Sequence, residues 1–141
     1  MDRVVLATNA LLDFLSVARP EHVLAIGMMR RLHECHVDVL VVATSLKDVY
    51  YILGRSDGEP AARRAVEAVL ATMTILPVDD AGCHAALAGT EPDFENGLIR
   101  AAAEAAEADF LISRDAAAFA GSRVPRITPT VALAELAHAH P

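Results

Sequence analysis

Tryptophan is absent from this chain of 141 residues, and aromatic side chains make up only 4% of it. A core organised around stacked rings is therefore excluded. With 54% hydrophobic residues, the interior has to be Ala, Val, Leu and Ile packed between helices and strands, which favours an α/β or all-α fold; the Met28-Met29 pair fills such a core. No run of about 18 uncharged apolar residues occurs, so no membrane-spanning helix is expected. Cys35 and Cys83, each beside a histidine, are too few for a disulfide framework and are expected as reduced thiols. The string His33-Glu34-Cys35-His36, taken with Cys83-His84, does not have the spacing of a closed zinc site. Basic residues are also in deficit: 12 Lys and Arg stand against 19 Asp and Glu, a net charge of −7. That balance opposes a protein that grips nucleic acid through a broad basic surface. It leaves open phosphate contacts made through a metal ion. The N-terminus enters a strand pattern directly, without the basic, apolar and small-residue segments of a secretory signal, so the expectation is a cytoplasmic protein.

What the chain does have is alternation. Short β-branched runs near 3–7, 37–42, 74–78, 109–113 and 126–128 read as strands, and helical spacing fills 9–16, 20–34, 45–54, 59–72, 79–88, 94–107 and 129–139. Strands alternating with helices make parallel βαβ units. The expected fold is a single α/β domain over 1–141, a three-layer sandwich with a central parallel sheet of about five strands. Pro20-Glu21 suits a helix first turn, Gly58 lies in a turn between two helices, and Thr128 or Thr130 can cap the last helix.

In an open parallel sheet, ligands sit beyond the carboxyl ends of the strands, where strand order reverses. Position 7 ends the first strand and Asp115 follows the fourth, so both are expected at one crevice. Asp48 sits one turn into the helix after the second strand, on an otherwise apolar helix. Asp93, Glu95 and Asn96 cluster at another helix start. Oxygen ligands converging from distant parts of a chain suit Mg²⁺ or Mn²⁺ and phosphodiester hydrolysis. Several of these polar residues also have a plainer role: Asn9 is expected as a helix N-cap, Asp93 and Asp115 serve as caps or as ligands, and Asp109 is a solvated turn residue; Asp48 has no such ready alternative. Asp13, one turn beyond Asn9, reaches the crevice or faces solvent.

Four segments, "ATNALLDFL", "TSLKDVYYIL", "PDFENGLIRAAAEAAEADFLISRD" and Phe119 with "ITPTVAL", span nearly the whole chain. Together they resemble the PIN-domain family, most closely the branch with a "DFED" helix start that includes VapC-type toxin ribonucleases. The resemblance implies a metal-dependent, single-strand RNA-cleaving protein with an antitoxin partner, Mg²⁺ or Mn²⁺ as cofactor, and pairing into a homodimer. It makes Asp48, Asp93, Glu95 and Asp115 the catalytic acids, with Asp48, Asp93, Asn96 and Asp115 as metal ligands. Ala7, Thr8, Asn9, Asp13, Ser113 and Arg114 are supporting positions.

Two positions depart from the family pattern. Ala7 stands where the resemblance expects the first-strand aspartate, and Asn96 where it expects the last acid of "DFED". A hard dication held by fewer carboxylates binds more weakly. The chain is then an impaired endoribonuclease, a nuclease using a shifted set of acids that includes Asp13, or a catalytically silent module that binds RNA or antitoxin. Ala7 as an introduced change is weakened by Asn96, because one change would have sufficed. A receiver or phosphatase-like protein needs a phosphorylatable aspartate at the end of the first strand, which Ala7 cannot supply. Asp48, Asp93 and Asp115 are expected to converge, with Ala7 opening onto the same space and at least one carboxyl pKa raised.

Overall fold

A computed structural model describes residues 1–139. Its described elements run β1 (Arg3–Leu6), α1 (Thr8–Leu15), α2 (His22–Glu34), β2 (Asp38–Val42), α3 (Ala43–Asp57), α4 (Glu59–Thr72), β3 (Thr74–Leu76), α5 (Asp80–Leu87), α6 (Phe94–Ala105), β4 (Phe110–Ile112), a 3-10 turn (Ala117–Phe119), β5 (Arg126–Ile127) and α7 (Pro129–Ala139). The five strands form one sheet in the order β3-β2-β1-β4-β5, with every pairing parallel. The expected α/β layout, a central five-stranded parallel sheet with helices packed around it, is the observed one.

The central strands are buried on both faces, which is why β1 and β2 are continuous aliphatic runs rather than alternating ones. Val4, Leu6, Val39 and Val41 point to one face, against α1, α2, α3, α4 and α7. Val5, Leu40 and Val42 point to the other, against Ile99 and Ala103 of α6 and Phe119. Met28 is fully buried and Met29 packs at the edge of the first of these cores. No described helix is long and apolar enough to cross a membrane.

Local chemistry sets the element ends. Gly58, at φ 93°, ends α3 and begins α4, a left-handed backbone that only glycine adopts without strain. Thr128 caps α7 by accepting from the Val131 N–H at 3.2 Å, with Pro129 at the first helical position. Two expectations are corrected. The helix α1 begins at Thr8, with Ala7 as its N-cap and Asn9 exposed within the first turn. The chain passes from strand to helix in a single residue, so Asn9 is too late to cap. Nor is Asp109 a mere solvated turn residue. Its Oδ2 accepts the backbone N–H groups of Asp2 (2.6 Å) and Arg3 (2.9 Å), pinning the start of β1 to the start of β4 and holding the Asp109 pKa below its usual value.

Strand order explains where a site can form. Successive strands β1, β2 and β3 step one way across the sheet, and the chain then returns past β1 to lay down β4 and β5. The reversal lies between β1 and β4, and a crevice opens there beyond their carboxyl ends. Ala7 N–H donates to Ile112 O at 3.1 Å across this gap.

Candidate functional site

The helices leaving β1 and β2, together with the first turn of α6, bring four polar side chains together. Thr8, first in α1, lies 2.8 Å from the fully buried Ser45 hydroxyl of α3. Its hydroxyl also donates to Glu95 Oε1 at 3.4 Å. Glu95 in turn hydrogen-bonds Asp48, one turn beyond Ser45. Lys47 Nζ approaches Asp48 Oδ1 at 3.0 Å, its own side chain largely in solvent.

Two carboxyls this close cannot both be charged without strong repulsion. Burial and the Asp48 carboxylate push the Glu95 pKa up from 4.5 to about 7. The hydrogen bond from Glu95, reinforced by Lys47, holds Asp48 below its usual value. Below about pH 7 the pair therefore favours one proton, on Glu95, beside an ionised Asp48. The raised carboxyl is Glu95, which lies outside the expected trio of Asp48, Asp93 and Asp115, and Asp48 is held below its usual value.

The other acids of interest are engaged locally. Asp93 caps α6: its Oδ1 accepts from Asn96 N at 2.7 Å and its Oδ2 from the Asn96 side-chain amide at 3.0 Å. Asn96 is thus tied to Asp93. Asp115 follows β4 as expected, but its Oδ1 accepts from Ala118 N at 3.1 Å, while its own N–H donates to the buried Ser113 hydroxyl at 3.0 Å. Asp48, Asp93 and Asp115 were expected to gather; the observed carboxyl contact joins Asp48 to Glu95, and among the described residues no group of three or more His, Cys, Asp or Glu is placed to hold a metal ion. Ala7 does not open onto a cavity. Its methyl is 4% exposed and packs in the core with Val5, Val42 and Ile99.

Asp13 neither lines an open crevice nor faces solvent. It is 1% exposed and receives two guanidinium groups, Arg19 Nε at 2.8 Å and Arg114 Nε and Nη2 at 3.0 and 3.3 Å. Arg114 Nη1 also approaches Glu21 at 3.4 Å. Sequence reasoning missed Ser45, Lys47, Arg19 and Glu21. Ser45 carried a signal, since it lies one helical turn before Asp48; the pairing of Arg114 with Asp13, 101 residues away, carried none.

The donor set fits a hard cation that keeps most of its water: two carboxyls, Asp48 and Glu95, flanked by the Thr8 and Ser45 hydroxyls. Such a cation has to displace the Glu95 proton. A cavity of about 480 Å³ between the end of β3, α5 and α6, lined by Leu76, Val78, Leu98 and Arg123 among others, is apolar and lies apart from this chemistry.

The family model for the PIN domain matches residues 3–117. No curated protein sequence matches the chain. Among solved structures, VapC20 of Mycobacterium tuberculosis, described as a Sarcin-Ricin loop cleaving toxin, superposes with a TM-score of 0.68 at 18% identity, covering 83% of this chain and 93% of its own. VapBC2 of Rickettsia felis, bound to a promoter DNA fragment, gives 0.69 at 12% identity over 89% and 98%. FitAcB of Neisseria gonorrhoeae gives 0.68 at 18% identity over 90% and 98%. At these identities the likeness is one of fold.

Proposed function

Because this chain belongs to the PIN domain family, we propose that it is a metal-dependent endoribonuclease of the toxin–antitoxin type whose site is impaired by alanine at the end of β1. The observation that carries this reading is the Asp48–Glu95 carboxyl pair, set beside Thr8 at the switch point of the sheet. Asp48 and Glu95 would hold Mg²⁺ or Mn²⁺, with Asp115 across the gap from β1. The metal supplies water activation and charge for a phosphoryl oxygen. The α6 start Asp93-Phe94-Glu95-Asn96 supports the "DFED" branch, with Asn96 recruited to the cap instead of the metal.

Partners follow the same reading: single-stranded RNA as substrate, an antitoxin protein as inhibitor, a second copy of the chain, and a cytoplasmic setting. The toxin–antitoxin complexes among the structural neighbours support the antitoxin. Tyr51 and Ile52 of α3 and Leu70 of α4, at 60%, 39% and 56% exposure, support a homodimer. The buried Ala7 methyl favours a second reading, a silent PIN module that binds RNA or antitoxin without cutting.

Ala7→Asp separates the two. On the first reading it raises Mn²⁺- or Mg²⁺-dependent RNA cleavage above the unmutated chain, and adding Asp115→Ala abolishes the gain. A folded Ala7→Asp protein that cuts no RNA with either metal, and whose melting temperature ignores both, overturns the nuclease reading.

A further inference from the structure

On the β4–β5 side of the switch point, away from the acid pair, three arginines gather in a chain whose net charge is −7. Arg19 and Arg114 meet on the Asp13 carboxylate. Arg126 reaches up from β5 and donates through Nη1 to the Ser113 carbonyl at 2.8 Å, one residue before Arg114. The crevice is therefore polarised, with carboxyls at the mouth of β1 and β2 and guanidiniums at the mouth of β4.

Asp13 explains why these groups are fixed. A carboxylate at 1% exposure is tolerated only when paired, and Arg19 and Arg114 approach it from loops at opposite ends of the chain. Arg114 is the more open of the two, with 40% of its side chain exposed. Its Nε and Nη2 are committed to Asp13. Among the described residues its Nη1 makes a single long contact, to Glu21 at 3.4 Å, and Glu21 is itself 33% exposed. A planar guanidinium anchored on one edge and loosely covered on the other suits an arriving phosphate, which offers shorter and stronger bonds than this contact.

We propose that Arg114 is a phosphate-binding residue for the RNA strand that crosses the crevice, positioned by the buried Asp13 and masked in the free protein by Glu21. This rests on the RNA reading above. It adds to that reading a cationic subsite on the side opposite the acid pair, and a carboxylate that competes with substrate for it.

The test is binding of a labelled oligouridylate to the full chain by fluorescence anisotropy, with chelator present so that the acid pair holds no metal. Glu21→Gln removes the competitor and is expected to tighten binding about threefold, a gain that misfolding cannot produce. Arg114→Gln is expected to weaken binding about tenfold and to reduce the slope of log K against log salt by about 0.7, the value for one phosphate contact on a single strand. In the Arg114→Gln background, Glu21→Gln is expected to give no gain. Unchanged affinity in Glu21→Gln, or an unchanged salt slope in Arg114→Gln, overturns the subsite while leaving RNA binding intact. No oligouridylate binding by the unmutated chain at any salt overturns the RNA reading and this inference together.

Discussion

Replacing Glu95 by glutamine tests whether one proton is shared at the crevice. In the folded chain Glu95 titrates at about 7 rather than 4.5, so between those values the native state holds a proton that the unfolded state has released. Stability from this group is then complete below about pH 4.5 and is lost as pH rises through about 7. Moving a carboxyl that far corresponds to roughly 3 kcal/mol if fully realised. Glu95 is only partly buried and solvent screens its field, so about 1–2 kcal/mol is the expected loss. Asp48, held below its ordinary value, acts in the opposite sense, its contribution fading only as pH falls below the usual aspartate range. Glutamine cannot ionise, yet its amide still donates to Asp48. Urea unfolding at pH 5 and pH 8.5 is the assay: the two proteins should be about equally stable at pH 5, and Glu95→Gln more stable by about 1–2 kcal/mol at pH 8.5. An equal stability difference at the two pH values would refute the shared proton.

Asp109→Ala removes the acceptor for the Asp2 and Arg3 N–H groups; it should cost about 1 kcal/mol by urea unfolding, with the unmutated chain losing this contribution as pH falls through the depressed Asp109 pKa. Gly97→Ala would bring a methyl within 2.9 Å of the Ala86 carbonyl, where α5 and α6 touch, and should lower stability by about 1–3 kcal/mol, read as a fall in melting temperature. Tyr51→Ser with Leu70→Ser should shift a homodimer toward monomer in sedimentation at micromolar concentration, whereas a chain already monomeric would remove the dimer reading.

Much of the fold was legible because its signals are local. The aliphatic run Val39–Val42 can only be a strand buried on both faces, and the α4 and α7 patterns carry Gly58 and Pro129 at their starts. The candidate site was legible as a set of residue types but not as a set of contacts. Nothing in the order of residues says that Asp48 will meet Glu95, since the pairing depends on how α3 and α6 cross the ends of β2 and β1. The Asp93 side chain was closer to readable: an acid just before a helical run is an N-cap signal, and its bonds from the Asn96 backbone and side-chain N–H groups are local. The Asp13 pairing was not legible because Arg19 turns back to it from six residues on, just past the end of α1, and Arg114 arrives from 101 residues away.

The alanine that ends β1 changes the electrostatics of everything around it. A carboxylate at a position only 4% exposed, next in sequence to the Thr8 that bonds Glu95, would add like charge near that pair, and burying it without a counter-charge costs several kcal/mol. A cation would relieve that cost, so an aspartate at position 7 ties the folded crevice to metal. With alanine there, the methyl packs against Val5, Val42 and Ile99, and the Glu95 pKa is pushed up to about 7 by burial and Asp48. The Ala7→Asp protein should therefore trade metal-free stability for metal dependence: a lower melting temperature in chelator than the unmutated chain, and a larger rise on adding Mn²⁺. A variant as stable in chelator as the unmutated chain, with no greater response to Mn²⁺, would show that position 7 does not face the acid pair electrostatically.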